Sequence, residues 1–360
     1  MSVRIPLEFN AVTLRSQEME RTLVEKHMRV CLSVDPGFET VVTVAPSEPL
    51  LSEASYLLMR SPAFDLPRSL LTELEYPGLN KGDRGELIVM TLCLEARDAA
   101  ATRLKKRVIP VNEFIREFLA HPLHEDVLHS KPTRARTTLE ASKTFEDTFR
   151  QSNLYFNHFI KLRNSRVISR KYLWRLISRG AAALCADYQY GVDVVLPFLY
   201  WDTVLRCENV SAIFMQIKND ETYQAKPHYH LFDMMNPYRN HFFEEKEANP
   251  VPVIRMVFPL ASKIPCITVL NHAAKTQPPR EGAFKADFQA DKYTAFDFWC
   301  GKASSETFRP IKDETVYEKL LLRSRIFPDV YNKRSEAIQN ATRNMNPATD
   351  IHPAHWEQFS

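Results

Sequence analysis

The chain has 360 residues, 44% hydrophobic and 25% charged, with 47 Lys and Arg against 44 Asp and Glu for a net charge of +3. That composition fits a globular protein with a sizeable core and excludes collagen, coiled coil and wholesale disorder. The charge balance neither demands nor forbids a nucleic-acid partner, so local clustering matters more than the sum. The length fits about two domains, or one α/β domain with a large insertion.

Residues 1–80 read as a separate N-terminal α/β region. Val3–Phe9, Val30–Val34 and Phe38–Val44 read as strands and Leu14–Lys26 as a helix, while Pro46, Pro49, Pro62 and Pro67 make the remainder loop-like. Asn80-Lys-Gly-Asp-Arg-Gly-Glu86 then opens a helix over about 84–105, apolar on most sides and therefore expected to be buried. Residues 108–179 read as a helical insertion, with candidates at Val111–Leu119 and Leu139–Phe149. Ala181–Ala186, Val192–Tyr200 and Val210–Lys218 follow as three strands, the first two joined by a hairpin-sized link. Phe232–Tyr238 reads as helix or loop, Pro252–Leu260 and Cys266–Leu270 as further strands, and Val316–Ile326 as a helix. Residues 81–275 would form the core, and 276–360 an extension with a polar tail.

The longest apolar runs, at 87–94 and 192–201, fall far short of the ~20 residues that span a bilayer. No signal peptide is legible, so an intracellular protein without membrane segments is expected. The six cysteines (31, 93, 185, 207, 266 and 300) lack any Cys-x-x-Cys spacing and read as reduced thiols. There are only eight glycines, less than half the ordinary ~7%. Neither a GxxxxGK[ST] nor a GxGxxG loop occurs, which argues against nucleotide chemistry of those two kinds. Four of the eight (Gly82, Gly85, Gly180 and Gly191) flank the segments that carry the candidate chemistry.

That chemistry is a set of oxygen donors and one ammonium on successive core elements. Glu86 starts the long helix, Asp193 lies early in the second strand, and Gln216-Ile-Lys218 ends the third. Residues two apart in a strand share a face, so Gln216 and Lys218 point the same way. Antiparallel pairing of the second and third strands would bring Asp193 to the same sheet end. Hard divalent cations take such oxygen ligands, neutralise charge on a phosphodiester and activate water. Each part has a plainer reading. Asp83-x-x-Glu86 is also a capping pattern, Lys218 a solvated strand end, and Asp193 a salt-bridge partner.

The order Glu on a helix, then Asp, then (Asp/Glu/Gln)-x-Lys on consecutive strands resembles the PD-(D/E)XK, restriction-endonuclease-like nuclease superfamily. Arg84-Gly-Glu-Leu87, Gly191-Val-Asp-Val-Val-Leu-Pro197 and Val210-Ser-Ala-Ile-Phe-Met-Gln-Ile-Lys-Asn219 are similar to the nuclease-like regions of fungal Crinkler-type (Crinkler–RHS) proteins. The resemblance covers roughly residues 80–260. It implies an α/β fold with a restriction-endonuclease-like core of helix, three-strand meander, helix and strand. It also implies a Mg²⁺- or Mn²⁺-dependent nuclease acting on DNA. Asp193, Gln216 and Glu86 would hold the metal, and Lys218 would be catalytic with them. The chain departs from the pattern in carrying Gln216 where an acid is usual and Val192 where Pro is usual.

Two alternatives follow from the same resemblance. One is an inactive nuclease-fold module that binds nucleic acid or a protein. The other is an effector or toxin component that needs an NTPase partner, with a nuclear or exported destination. Three weaker signals remain. The basic run Lys161, Arg163, Arg166, Arg170, Lys171, Arg175 and Arg179, with Tyr172 and Trp174 interleaved, reads as a helix along phosphates or as a solvated face. His228-Tyr-His230 reads as a surface pair or two metal ligands on a strand. Gln189 stands close to Gly191 and could line the site.

Overall fold

In a computed structural model of the chain, the described residues are 3–6, 14–27, 29–34, 36–37, 41–44, 47–61, 63–73, 81–187, 189–270 and 292–322. The N-terminal region opens with a turn at 3–6, where a strand was expected. Helix α1 (Leu14–Glu25) precedes an antiparallel pair, β1 (Val30–Val34) and β2 (Val41–Val44). The proline-bearing stretch after it holds two helices, α2 (Pro49–Met59) and α3 (Leu66–Glu73). This corrects the loop reading. Pro49 and Pro67 sit in first turns, where a missing N–H breaks no helical bond and the fixed φ favours the helix.

Helix α4 (Lys81–Leu104) is the central helix. Its Leu87–Leu94 stretch and Ala96 and Ala100 are buried on all sides, as the apolar run predicts. The N-terminal region packs directly on it. Tyr56, Leu66 and Leu70 share its core, and Arg4 makes a two-pronged ion pair with Asp98 at 2.6 and 2.8 Å.

The segment at 108–179 supplies strands as well as helices, which corrects the purely helical expectation. It runs β3 (Ile109–Pro110), α5 (Val111–Phe118), short helices α6 (Leu123–Leu128), α7 (Thr138–Ser142) and α8 (Phe145–Phe149), β4 (Asn153–Leu154), β5 (His158–Lys161) and α9 (Arg170–Ser178). Then come β6 (Ala181–Leu184), β7 (Val194–Leu199), β8 (Val210–Lys218), α10 (Tyr229–Met234), β9 (Val253–Pro259), β10 (Cys266–Val269), β11 (Ala295–Gly301) and α11 (Glu314–Leu322). The polar tail expected from Asn332 onward lies outside the described residues.

Among the described residues, β3 to β11 form one nine-stranded mixed sheet. The stretch β6–β7–β8 is an antiparallel meander, and β9 runs parallel to β8. β5 lies parallel to β6 on the outer side of the meander. β11 inserts between β9 and β10, so the C-terminal extension completes the main sheet. The side chains alternate between two cores. Val194, Met215 and Ile217 face the α4 side, and Val195, Phe214 and Val257 face the α9 and α10 side. No described helix is long and apolar enough to cross a membrane. The six cysteines form no disulfide.

Candidate active site

The start of β7 and the ends of β5, β6, β8 and β9 meet at one end of the sheet. Val194 pairs with Met215, and Asp193 immediately precedes it at the mouth of the β7–β8 ladder. The Asp193 amide donates to the Met215 carbonyl at 2.8 Å, and the Ile217 amide donates to Asp193 Oδ2 at 2.6 Å. The second bond orients the carboxylate toward β8. Among the described residues Oδ1 accepts no protein hydrogen bond. The plainer reading of Asp193 as a salt-bridge partner therefore falls, since no arginine or lysine comes within ion-pair distance among those residues. Burial raises its pKa, offset by the Ile217 N–H and the charges of Lys218 and Lys161.

Glu86 reaches this point from the helix side. Gly85 makes that possible: a Cβ there would lie 2.9 Å from Ile217 Cγ2 and 3.3 Å from Asn219 Cβ. The helix thus abuts the end of β8 as no larger residue would allow. Helix α4 begins at Lys81, so Glu86 stands in its second turn and does not cap it. Its pKa is pushed up to about 7, first by burial and then by the negative charge of Asp193, with Lys161 opposing. The charge of Asp193 thus reaches Glu86, which puts the two carboxylates in one electrostatic neighbourhood.

Gln216 adds an orphan. The residue is 2% exposed, and among the described residues its buried Oε1 has no hydrogen-bond partner. A buried unpaired amide oxygen costs about 1–3 kcal/mol unless something electropositive meets it. Two carboxylates and a carbonyl-type oxygen are the donor set of a hard cation such as Mg²⁺, so the residues fit that ion. The set includes an amide, and among the described residues no three His, Cys, Asp or Glu side chains form a metal-binding group.

Lys218 shares the face of Gln216, lowers the proton affinity of Asp193, and holds Nζ 5.9 Å from the Tyr223 ring centre. The second lysine of the site is Lys161, at the end of β5. Its Nζ pairs with Asp187 Oδ1 at 2.7 Å, and its charge favours the ionised forms of Glu86 and Asp193. The sequence reading placed Lys161 in a phosphate-tracking helix and overlooked Asp187. The strand His158–Lys161 is too short for its alternation to be legible.

The rest of the basic run separates. Arg163 and Arg166 lie in the segment before α9, and Lys171, Arg175 and Arg179 are exposed on or beside that helix. Arg170 is buried. Its guanidinium donates to the carbonyls of Cys207 (3.0 Å) and Glu208 and pairs with Glu247 at 2.9 Å, so it ties α9 to its neighbours and cannot reach a phosphate backbone. His228 and His230 lie at the start of α10, which corrects the strand reading. His228 stacks on Trp299 at 5.6 Å, which accounts for it as packing. Gln189 donates to Asn240 Oδ1 at 3.0 Å, tying its loop to the segment after α10. Gly191 in the same loop has φ +72°, and a Cβ there would lie 2.4 Å from the Met234 carbonyl oxygen. Only glycine lets the chain turn into Asp193 against α10.

The model of one protein family, described as a domain of unknown function (DUF8736), matches residues 10–246. The matched stretch includes Glu86, Lys161, Asp187, Asp193, Gln216 and Lys218. No curated protein and no solved structure matches the chain significantly.

Proposed function

Because the chain belongs to the DUF8736 family, whose description assigns no activity, we propose its function from the site itself: a metal-dependent nuclease of the PD-(D/E)XK type that hydrolyses DNA phosphodiesters. One observation carries this reading. Glu86 and Asp193 lie within electrostatic reach of one another where β7 begins and β8 ends, and the adjoining end of β8 carries Gln216, with its orphaned Oε1, and Lys218. The element order supports it. Helix α4, the antiparallel β6–β7–β8, helix α10 and β9 parallel to β8 follow the sequence expected of a restriction-endonuclease-like core.

Asp193, Glu86 and Gln216 would hold a Mg²⁺ or Mn²⁺ ion. Such an ion, when bound, lowers the pKa of water and neutralises charge on the phosphodiester. Asp193 is pre-oriented by the Ile217 amide, so its carboxylate need not reorganise on binding. Lys218 donates hydrogen bonds to the attacking water and to the phosphorus-bound oxygen that gains charge. Exposed Lys171 and Arg175 on α9 would meet the backbone without reading bases.

The test is cleavage of plasmid and single-stranded DNA by the purified chain, with Mg²⁺, with Mn²⁺ and with EDTA. Asp193→Ala and Lys218→Ala run alongside. Metal-dependent cleavage lost in both variants supports the enzyme. Absence of cleavage by a folded wild type, or cleavage indifferent to both changes, rejects it in favour of a binding module or a component needing an NTPase partner.

A further inference from the structure

The pairing of β5 with β6 places a second lysine beside the site by main-chain geometry. Lys161 stands opposite Leu184, and the next residue, Cys185, donates its amide to the Asp193 carbonyl at 2.8 Å. The Leu162 amide closes the ladder on the Leu184 carbonyl at 2.8 Å. Lys161 is therefore fixed two strands from Asp193, with its side chain only 13% exposed.

The carboxylate that meets it is of the opposite kind. Asp187 lies in the β6–β7 link with its side chain 69% exposed, and it meets Lys161 Nζ at 2.7 Å. An ion pair with so exposed a partner adds little stability, because water competes for the carboxylate. An otherwise acidic site, with Glu86, Asp193 and Asp83 nearby, would repel a phosphodiester unless fixed cations received it.

We propose that Asp187 occupies, in the resting protein, the place of a substrate phosphate on Lys161. The lysine exchanges this carboxylate for the incoming phosphodiester and so becomes a second phosphate-holding residue of the site. The inference rests on the nuclease reading above. The exchange forms and breaks only ion pairs. The phosphate oxygen takes the ammonium's hydrogen bonds, and the displaced Asp187 carboxylate returns to water at the surface.

The experiment is a double-mutant cycle on DNA affinity, read by fluorescence anisotropy with labelled DNA and Ca²⁺ in place of Mg²⁺ to limit turnover. Asp187→Asn is expected to tighten binding by about 2- to 5-fold, the scale of one exposed ion pair released. Lys161→Met should weaken binding by a similar factor, and Lys161→Arg should restore most of it. The deciding result is the combination: in the Lys161→Met background, Asp187→Asn should change nothing. If it tightens binding there as much as in wild type, Asp187 is only a repulsive charge and the proposal fails. The KM of each variant should follow its affinity. A cycle without coupling, beside cleavage that still depends on Asp193, overturns this inference and leaves the nuclease standing. A folded wild type that neither binds nor cleaves DNA overturns both.

Discussion

The Ile217 amide donates to Asp193 Oδ2 at 2.6 Å, across the opening where β7 begins and β8 ends. This bond holds a buried carboxylate in place, where desolvation alone would favour its neutral form. Asparagine can accept the same bond without bringing a charge. Asp193→Asn should therefore abolish cleavage, by about 10²-fold or more, while leaving the chain as stable as wild type or more so. Activity and urea unfolding measured on the same preparation check this. A variant that both unfolds and loses activity would mean that Asp193 is structural.

Gln216→Glu supplies the acid that the nuclease pattern usually carries. It places a third carboxylate beside Glu86 and Asp193, so without metal the chain should lose stability through burial and repulsion. Mg²⁺ or Mn²⁺ should restore it, and half-maximal activation should need about tenfold less metal than wild type. Melting temperature against metal concentration reads the effect without relying on activity.

The site carboxylates set a pH limb. Glu86 has its pKa pushed up to about 7, so below that pH it is protonated and cannot hold a cation. Cleavage at limiting Mg²⁺ should fall about tenfold per unit as pH drops below about 7. More Mg²⁺ competes with the proton, so the limb should move to lower pH as metal rises. Glu86→Gln should remove that limb. A limb indifferent to Mg²⁺ concentration would place the titrating group elsewhere.

Stability should depend on pH through a different residue. His158 is fully buried between the Ser47 hydroxyl (2.9 Å) and Asn157 Oδ1 (2.7 Å), and burial together with Arg179 and Arg4 lowers its pKa to about 4. A depressed histidine pKa favours the neutral form in the folded state. Its contribution is fully present above the unfolded value near 6.5 and is lost as pH falls through about 4, amounting at most to about 3 kcal/mol. Glu86 and Glu95, both raised to about 7, act oppositely: their contribution is present below about 4.5 and is lost as pH rises through about 7. The urea-unfolding free-energy difference between wild type and His158→Gln, in which the glutamate contributions cancel, should fall by at most about 3 kcal/mol as pH drops from 7 to 4. A difference that does not change with pH would exclude His158 as the titrating group.

The central helix and the meander were legible in the sequence, and so were Glu86, Asp193, Gln216 and Lys218 as candidates for one site. Continuous apolar runs, a carboxylate inside one of them and a two-residue strand period are local signals. The sequence also marked Gly85 and Gly191, whose close approaches to Ile217 and Met234 are what such flanking glycines serve. Other features are non-local. α2 and α3 were obscured by prolines that first turns accept. The position of β11 between β9 and β10 depends on pairing across a long stretch of chain. Only the tertiary structure brought Lys161 to Asp187, because a parallel pair such as β5–β6 joins strands whose connection has no turn signature. Likewise only burial in the fold raised the proton affinity of Glu86 and left Gln216 Oε1 without a partner. Desolvation belongs to the packed environment, and no residue carries it in its name.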